Sequence, residues 1–360
     1  MKVHNFNPGP AILPSVVLEK TAEAVKNFRS TGIGIMEISH RSKEFEGLLN
    51  ETIQLLRELL NVPENYSILF LGGGASTQFF SVPYNFLDKK AAYLETGHWA
   101  ERAIKEAQKL GKVEIVASSR DKNFSYLPKG WTIPTDADYF HITTNNTIYG
   151  TEILYDIESP IPLIADMSSD FCSRPMDIKK YALIYAGAQK NVGPAGVTII
   201  IINKDFLSEK QVKNKVIPTM IDYKTHVNNN SLYNTPPVIN IYVVYETLMW
   251  LKNLGGLSEM EKINIEKSNL LYDYIDSSKM FVCTVSNKED RSRMNVCFVM
   301  KEGYKDKEEE FEKFAKSKGI IGIKGHRTVG GFRASLYNAL PLESVKFLIQ
   351  TMEEFEKKYS

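Results

Sequence analysis

From residue 15 onward apolar side chains recur at helical spacing. Val16, Val17, Ala24 and Val25 share a face after Ser15, and Phe45, Leu48, Leu49, Ile53, Leu55, Leu56 and Leu59 do so after Ser42. The rhythm then changes. The runs "SILFL", "AAYLE", "KVEIVAS", "ADYFHIT", "IPLIAD", "YALIYAG" and "VTIIII" read as short strands, separated by helical stretches or long crossovers. Such an alternation predicts an α/β architecture: a mostly parallel, buried sheet covered by helices.

A long polar stretch, "IDYKTHVNNNSLYNTPP" (221–237), is expected to be a loop. It leads into an apolar helix, "VINIYVVYETLMWLK", stopped by Leu254-Gly255-Gly256. A further helix from Ser258 carries Met260, Ile263, Ile265, Leu270, Leu271 and Ile275. After it come "FVCTV", "NVCFVM", a charged helix (305–318), "IIGIKGHRTVGGFRASLY" and a last helix (341–357). The change of rhythm sets three expected parts: a Pro/Gly-rich arm over 1–14, a large domain over 15–255 and a smaller C-terminal α+β domain over 256–360.

Composition narrows the classes of function. The chain has 360 residues, 43% of them hydrophobic and 24% charged, with a net charge of +1. No overall field favours nucleic acid or membrane as a partner, so an anionic ligand needs locally placed cations. Cys172, Cys283 and Cys297 are widely spaced, which argues against a disulfide framework or a metal site and for a reducing compartment. The opening "MKVHNFNPGPAILP" does not resemble a secretory signal, and the run Val197–Ile202 is far too short to span a bilayer. A cytoplasmic enzyme is the expectation.

Ligands of α/β sheets bind beyond the C-terminal ends of the strands, so the loops there carry the candidate chemistry. Gly72-Gly73-Gly74-Ala75-Ser76-Thr77 can offer backbone N–H groups and a helix N-terminus to a phosphate. Asp166 leaves the strand "PLIAD", Trp99 follows "AAYLE" in "GHW", and Lys190 sits in "YAGAQKNVGPAG". Taken singly these are a glycine turn, a helix cap, a core aromatic and a surface cation. The small neighbours of Lys190 point elsewhere, because a lysine that a ligand must approach needs them. Together the four supply what pyridoxal 5′-phosphate requires: an amine for its aldehyde, a carboxylate for its ring nitrogen, an aromatic plate and a phosphate cradle. A competing reading takes the Gly72–Gly74 loop as the dinucleotide site of an NAD-dependent oxidoreductase, with Glu95 on the ribose; there Thr77 occupies the place of the third glycine.

The segment "SRPMDIKKYALIYAGAQKNVGPAGVTI" resembles the lysine segment of the phosphoserine aminotransferase family, a branch of the class V, fold-type I aminotransferases that use pyridoxal phosphate. "FNPGPAILP", "MEISHRSKEF", "NTPP", "RSRMNV" and "KGHRTVGGFRASLYNALP" match that family too, so the likeness runs end to end. It implies a seven-stranded, mostly parallel sheet between helices. It also implies that Lys190 forms the Schiff base and later moves a proton, that Asp166 pairs with the pyridinium, and that Trp99 stacks on the ring. Thr147 and Gln189 become further cofactor contacts, and Ala75 and Ser76 bind its phosphate. Asn234 and Thr235 reach the phosphate of the neighbouring subunit, which implies a homodimer with shared active sites.

The implied substrates are phosphohydroxypyruvate and glutamate, each with two anionic ends. Arg333 matches the arginine that holds the α-carboxylate. His326 and Arg327, with Arg41 from the partner, match the group for the substrate phosphate. A four-carbon phosphorylated oxo-acid of pyridoxine synthesis is a close variant that the residues do not separate. The chain departs from some relatives in having no arginine in the glycine loop, and in having Pro8 where a small residue is common. Arg291 and Arg293 have no assigned chemistry and read as structural.

Overall fold

The computed structural model describes residues 2–359. β1 (His4–Asn5) precedes α1 (Ser15–Lys26) and α2 (Lys43–Leu60). Ser42 caps α2 by accepting from the Phe45 N–H, and the helix buries the predicted Phe45, Leu48, Leu49, Leu55 and Leu56. All seven predicted runs form strands: β2 (Tyr66–Leu71), β3 (Lys90–Glu95), β4 (Lys112–Ser118), β5 (Tyr139–Thr143), β6 (Leu163–Asp166), β7 (Leu183–Gly187) and β8 (Thr198–Asn203). They make one sheet in the order β2-β8-β7-β6-β5-β3-β4. β8 runs antiparallel to both its neighbours, while β3 to β7 are joined by parallel pairings.

Helices cover both faces of this sheet. On one side α3 (Gly74–Phe86) and α4 (His98–Gln108) pack Phe79, Val82, Phe86, Ala103 and Ile104 against Leu69, Tyr93 and Tyr185. On the other, α1, α2 and α7 (Val238–Asn253) close over Phe70, Phe140, Ile142 and Ile199. α5 (Lys204–Lys210) follows β8. The stretch 221–237 is not wholly loop: Tyr223–Asn228 forms α6, because the Asp222 side chain caps the Lys224 N–H and Tyr223 is buried.

α8 (Gly256–Ser277) then leads to a second layer. β9 (Phe281–Cys283), β10 (Asn295–Met300) and β12 (Phe332–Ser335) form an antiparallel sheet in the order β12-β10-β9. α9 (Glu308–Ser317) and α10 (Leu342–Tyr359) cover it, and Phe281, Phe298, Phe311, Phe332 and Phe355 build a separate apolar cluster. The charged segment 305–318 divides into a 3-10 turn (Glu302–Lys307) and α9. α8 joins the two cores, with Leu257 and Met260 in one and Leu271 and Ile275 in the other. The N-terminal arm belongs to the second: β1 pairs in parallel with β11 (Ile320–Ile321), and Phe6 is fully buried there.

Candidate active site

The C-terminal ends of β3, β5, β6 and β7 open onto one cavity of about 360 Å3, as expected for an open α/β sheet. Its wall includes Ala75, Ser76, Trp99, Thr147, Asp166, Gln189, Lys190, His326 and Arg333, all singled out from the sequence. The β7–β8 connection holds Lys190 at this edge. The lysine is half-buried, and its Nζ donates to the Thr147 hydroxyl at 2.9 Å. Burial lowers its pKa to about 8; the Arg333 charge acts in the same direction and Asp166 opposes both.

Asp166 is 4% exposed and accepts from the Ser168 N–H at 2.9 Å and the Ser168 hydroxyl at 2.6 Å. Both bonds fall on Oδ1, so among the described residues Oδ2 has no hydrogen-bond donor. Burial raises the pKa of this carboxyl, while Ser168 and the Lys190 charge pull it back. Trp99 is the second residue of α4, its indole N–H buried and without a partner among the described residues. The ring of His98 meets it edge-on at 5.3 Å.

Three further elements complete the wall. Gly73, at a φ of +92°, turns the chain into α3, whose first N–H groups belong to Gly74, Ala75 and Ser76 at the cavity. The N-terminal arm supplies Pro8 and Gly9; Gly9 has a φ of +131°, a conformation that side chains rarely adopt, and a Cβ there would touch Lys190 Cγ at 3.4 Å. β12 supplies Arg333, 7% exposed, which donates from Nη1 to the Thr147 carbonyl at 3.1 Å; among the described residues its Nε–H has no partner. The His326 Nδ1 lies 2.8 Å from the Thr328 hydroxyl, and its ring stands 6.3 Å from that of His98. Burial lowers the pKa of both imidazoles.

Four expected residues stay outside this wall. Arg41, Arg327, Asn234 and Thr235 are exposed on this chain. Asn234 instead borders a second cavity of about 280 Å3, beside Gly72, Gly73 and Thr77. The sequence reading missed Phe79, Thr143, Asn145, Ser168 and Ser169, which also line the site. Ser168 has a signal that could have found it, because a hydroxyl two residues after a strand-end aspartate can fold back on the carboxylate. Arg291 and Arg293 pair with Asp276 and Glu261 at 2.9 Å and 2.8 Å, as their structural reading requires.

The dinucleotide reading fails on topology. A βαβ nucleotide unit joins adjacent parallel strands, but β2 lies at one edge and β3 is separated from it by β8, β7, β6 and β5. Glu95 is also engaged, accepting from Arg120 at 2.6 Å and from the Ser118 hydroxyl at 2.5 Å.

A lysine, a carboxylate and a helix N-terminus gathered at the edge of this sheet define a class-V aminotransferase, and the family's profile, Aminotransferase class-V, matches residues 3–348. The phosphoserine aminotransferase of Phocaeicola vulgatus is 58% identical over 357 residues, covering 99% of each chain. The crystal structure of that enzyme from Bacillus circulans superposes with a TM-score of 0.96 at 44% identity, over 100% of this chain and 99% of the other. The PLP-bound phosphoserine aminotransferase of Trichomonas vaginalis does so with a TM-score of 0.93 at 40% identity, over 98% and 100%. The chain belongs to the phosphoserine aminotransferase family.

Proposed function

We propose that this protein is a pyridoxal 5′-phosphate-dependent transaminase. It converts 3-phosphohydroxypyruvate and L-glutamate to O-phospho-L-serine and 2-oxoglutarate, a step of serine biosynthesis. The observation that carries the reading is the pair on the cavity wall: a desolvated lysine amine with a lowered pKa, and a buried carboxylate with one oxygen unbonded. The residues fit the cofactor. Asp166 Oδ2 lacks a donor that a protonated ring nitrogen supplies, and the first N–H groups of α3 suit a phosphate. When bound, pyridoxal phosphate supplies an aldehyde for the amino group and a cationic ring that withdraws electrons from the Cα–H bond.

The chain's own residues do the rest. A Lys190 amine with a pKa near 8 releases and takes up a proton close to neutral pH, so it can carry the proton from the substrate Cα. Thr147 holds Nζ in place through the 2.9 Å bond. Asp166 keeps the ring nitrogen positive, and Trp99 and Gln189 bound the ring. Ala75 and Ser76 hold the cofactor phosphate. Arg333 binds the α-carboxylate that both substrates share, its free Nε–H being a donor for it. His326 and Arg327 hold the substrate phosphate or, in glutamate, the distal carboxylate.

The finer parts of the reading concern assembly. Arg41, Asn234 and Thr235 complete the site of a second subunit in a homodimer, which accounts for their exposure away from the cavity of their own chain. The small unit begins near residue 255, with the large unit over 15–255 and the arm over 1–14. The enzyme works in the cytoplasm; among the described residues no helix is long and apolar enough to cross a membrane.

The test is a coupled assay of glutamate with 3-phosphohydroxypyruvate and with its four-carbon phosphorylated homologue. Borohydride should fix the cofactor to the peptide carrying Lys190, and Lys190→Ala should abolish turnover. Normal turnover in that variant defeats the assignment, and turnover of the four-carbon acid alone moves the enzyme to pyridoxine synthesis.

A further inference from the structure

Lys267 lies midway along α8 with its side chain fully buried, and among the described residues no charged group faces its amine. Nζ instead donates to the backbone carbonyls of Leu336 at 2.7 Å and Tyr337 at 2.9 Å, with those of Leu340 at 3.3 Å and Asn338 at 3.4 Å. Burial without a counter-charge pushes this amine down to about 7. The ring of oxygens acts in the opposite direction. A neutral amine would turn its lone pair onto a carbonyl, whereas an ammonium offers three protons to four acceptors, and ion–dipole attraction is strong in a poorly screened interior.

The segment so gathered, 336–340, follows directly on β12, which carries Arg333. The Tyr337 hydroxyl donates to the Pro8 carbonyl of the arm at 2.9 Å. The Asn338 N–H donates to Asn191 Oδ1, beside Lys190, at 3.0 Å. Asn264, one turn before Lys267, donates to Asn338 Oδ1 at 2.9 Å. One short segment therefore ties the arm, the lysine loop and the arginine strand together.

We propose that Lys267 is a positioning residue, a fixed internal cation that gathers the 336–340 carbonyls and so holds Arg333, Pro8 and the Lys190 loop in register around the substrate. This rests on the reading of the cavity as a transaminase site. Lys267→Met removes the charge and keeps the stem, and Lys267→Ala leaves room for propylammonium. In Lys267→Met, kcat/KM for glutamate and for the oxo-acid should fall together, by about tenfold or more. The amides of 336–340 should exchange faster with deuterium, with the cofactor still attached at Lys190. Propylammonium should restore both properties in Lys267→Ala. Unchanged kcat/KM in Lys267→Met, whatever its melting temperature, overturns the proposal, as does a loss in Lys267→Ala that propylammonium leaves untouched. If neither variant folds, 15N-lysine NMR of the unaltered protein decides: an ammonium signal persisting above about pH 8 supports the cage, and a neutral amine there overturns it. An unaltered protein without transaminase activity defeats the functional reading alone, because amide exchange still reports on the cage.

Discussion

At the scale of single residues, the chemistry turns on how burial draws two titrations toward each other, lowering the Lys190 amine and raising the Asp166 carboxyl. The Lys190 amine is lowered to about 8 from 10.5 by desolvation, so it becomes a nucleophile well before a lysine in water does. Uptake of pyridoxal phosphate by the cofactor-free protein needs the unprotonated amine. Its rate should therefore rise about tenfold per pH unit below the lowered pKa and level off above about pH 8. Stopped-flow absorbance checks this, and a plateau reached only above pH 10 would show that the amine is not desolvated. Arg333 acts on both half-reactions. Arg333→Ala should raise KM for glutamate and for the oxo-acid alike, by about 10- to 100-fold, as expected for losing a charged hydrogen-bonding pair. A rise confined to one substrate in steady-state kinetics would remove Arg333 from the shared carboxylate. Lys190, Asp166 and Trp99 were legible because each follows a recognisable strand. Ser168, Thr143 and Asn145 were not, because short polar residues after strands are common and only the folded geometry selects among them.

At the scale of elements, strands and helices were read well where a single period dominated. The sequence showed seven strands but not that β8 is reversed. The signal was present: residues 188–197 between β7 and β8 hold no α-helix, and a parallel return normally needs a helical crossover. Lys190 sits at the ligand-binding edge because it follows the C-terminal end of β7, and the reversal lets the chain turn back there without a crossover. α8 is a helix where the sequence puts one, but its packing face was not legible. Its most buried face combines Met260, Leu271 and Ile275 with Asn264, Lys267 and Ser268, and no hydrophobic pattern can mark polar residues such as Asn264 and Lys267 whose partners are distant carbonyls. The turn into α3 gives a prediction at this scale. A Cβ on Gly73 would sit 1.9 Å from Thr77 Oγ1, in a backbone region that disfavours side chains. Gly73→Ala should cost about 1–3 kcal/mol in thermal unfolding and weaken cofactor binding measured by titration. Unchanged affinity would argue that the α3 N-terminus does not hold the phosphate.

For the whole molecule, the composition spoke mainly by exclusion. A change of rhythm near residue 255 hinted at a second core, but α8 runs through both, with Leu257 and Met260 in the first and Leu271 and Ile275 in the second. What the chain could not show was how far apart in sequence the cavity walls lie: Pro8, Ser76, Lys190 and Arg333 meet at one place. The proposed sharing of sites between subunits is tested at this scale. Lys190→Ala and Arg41→Ala should each be nearly inactive alone, and mixing them after unfolding and refolding together should restore part of the activity. If Arg41 served its own chain's cavity, each mixed dimer would keep no intact site and mixing would restore nothing.

The seam between β1 and β11 has a consequence for how the enzyme is made. His4 and Asn5 leave the ribosome some three hundred residues before their partners Ile320 and Ile321, and Phe6 has no packed home until those emerge. A nascent chain can complete its seven-stranded sheet by residue 203 and still be inert, because the rim over Lys190 closes only after β11 has emerged. Stalled or C-terminally truncated translation products should therefore be catalytically silent, even with the sheet formed.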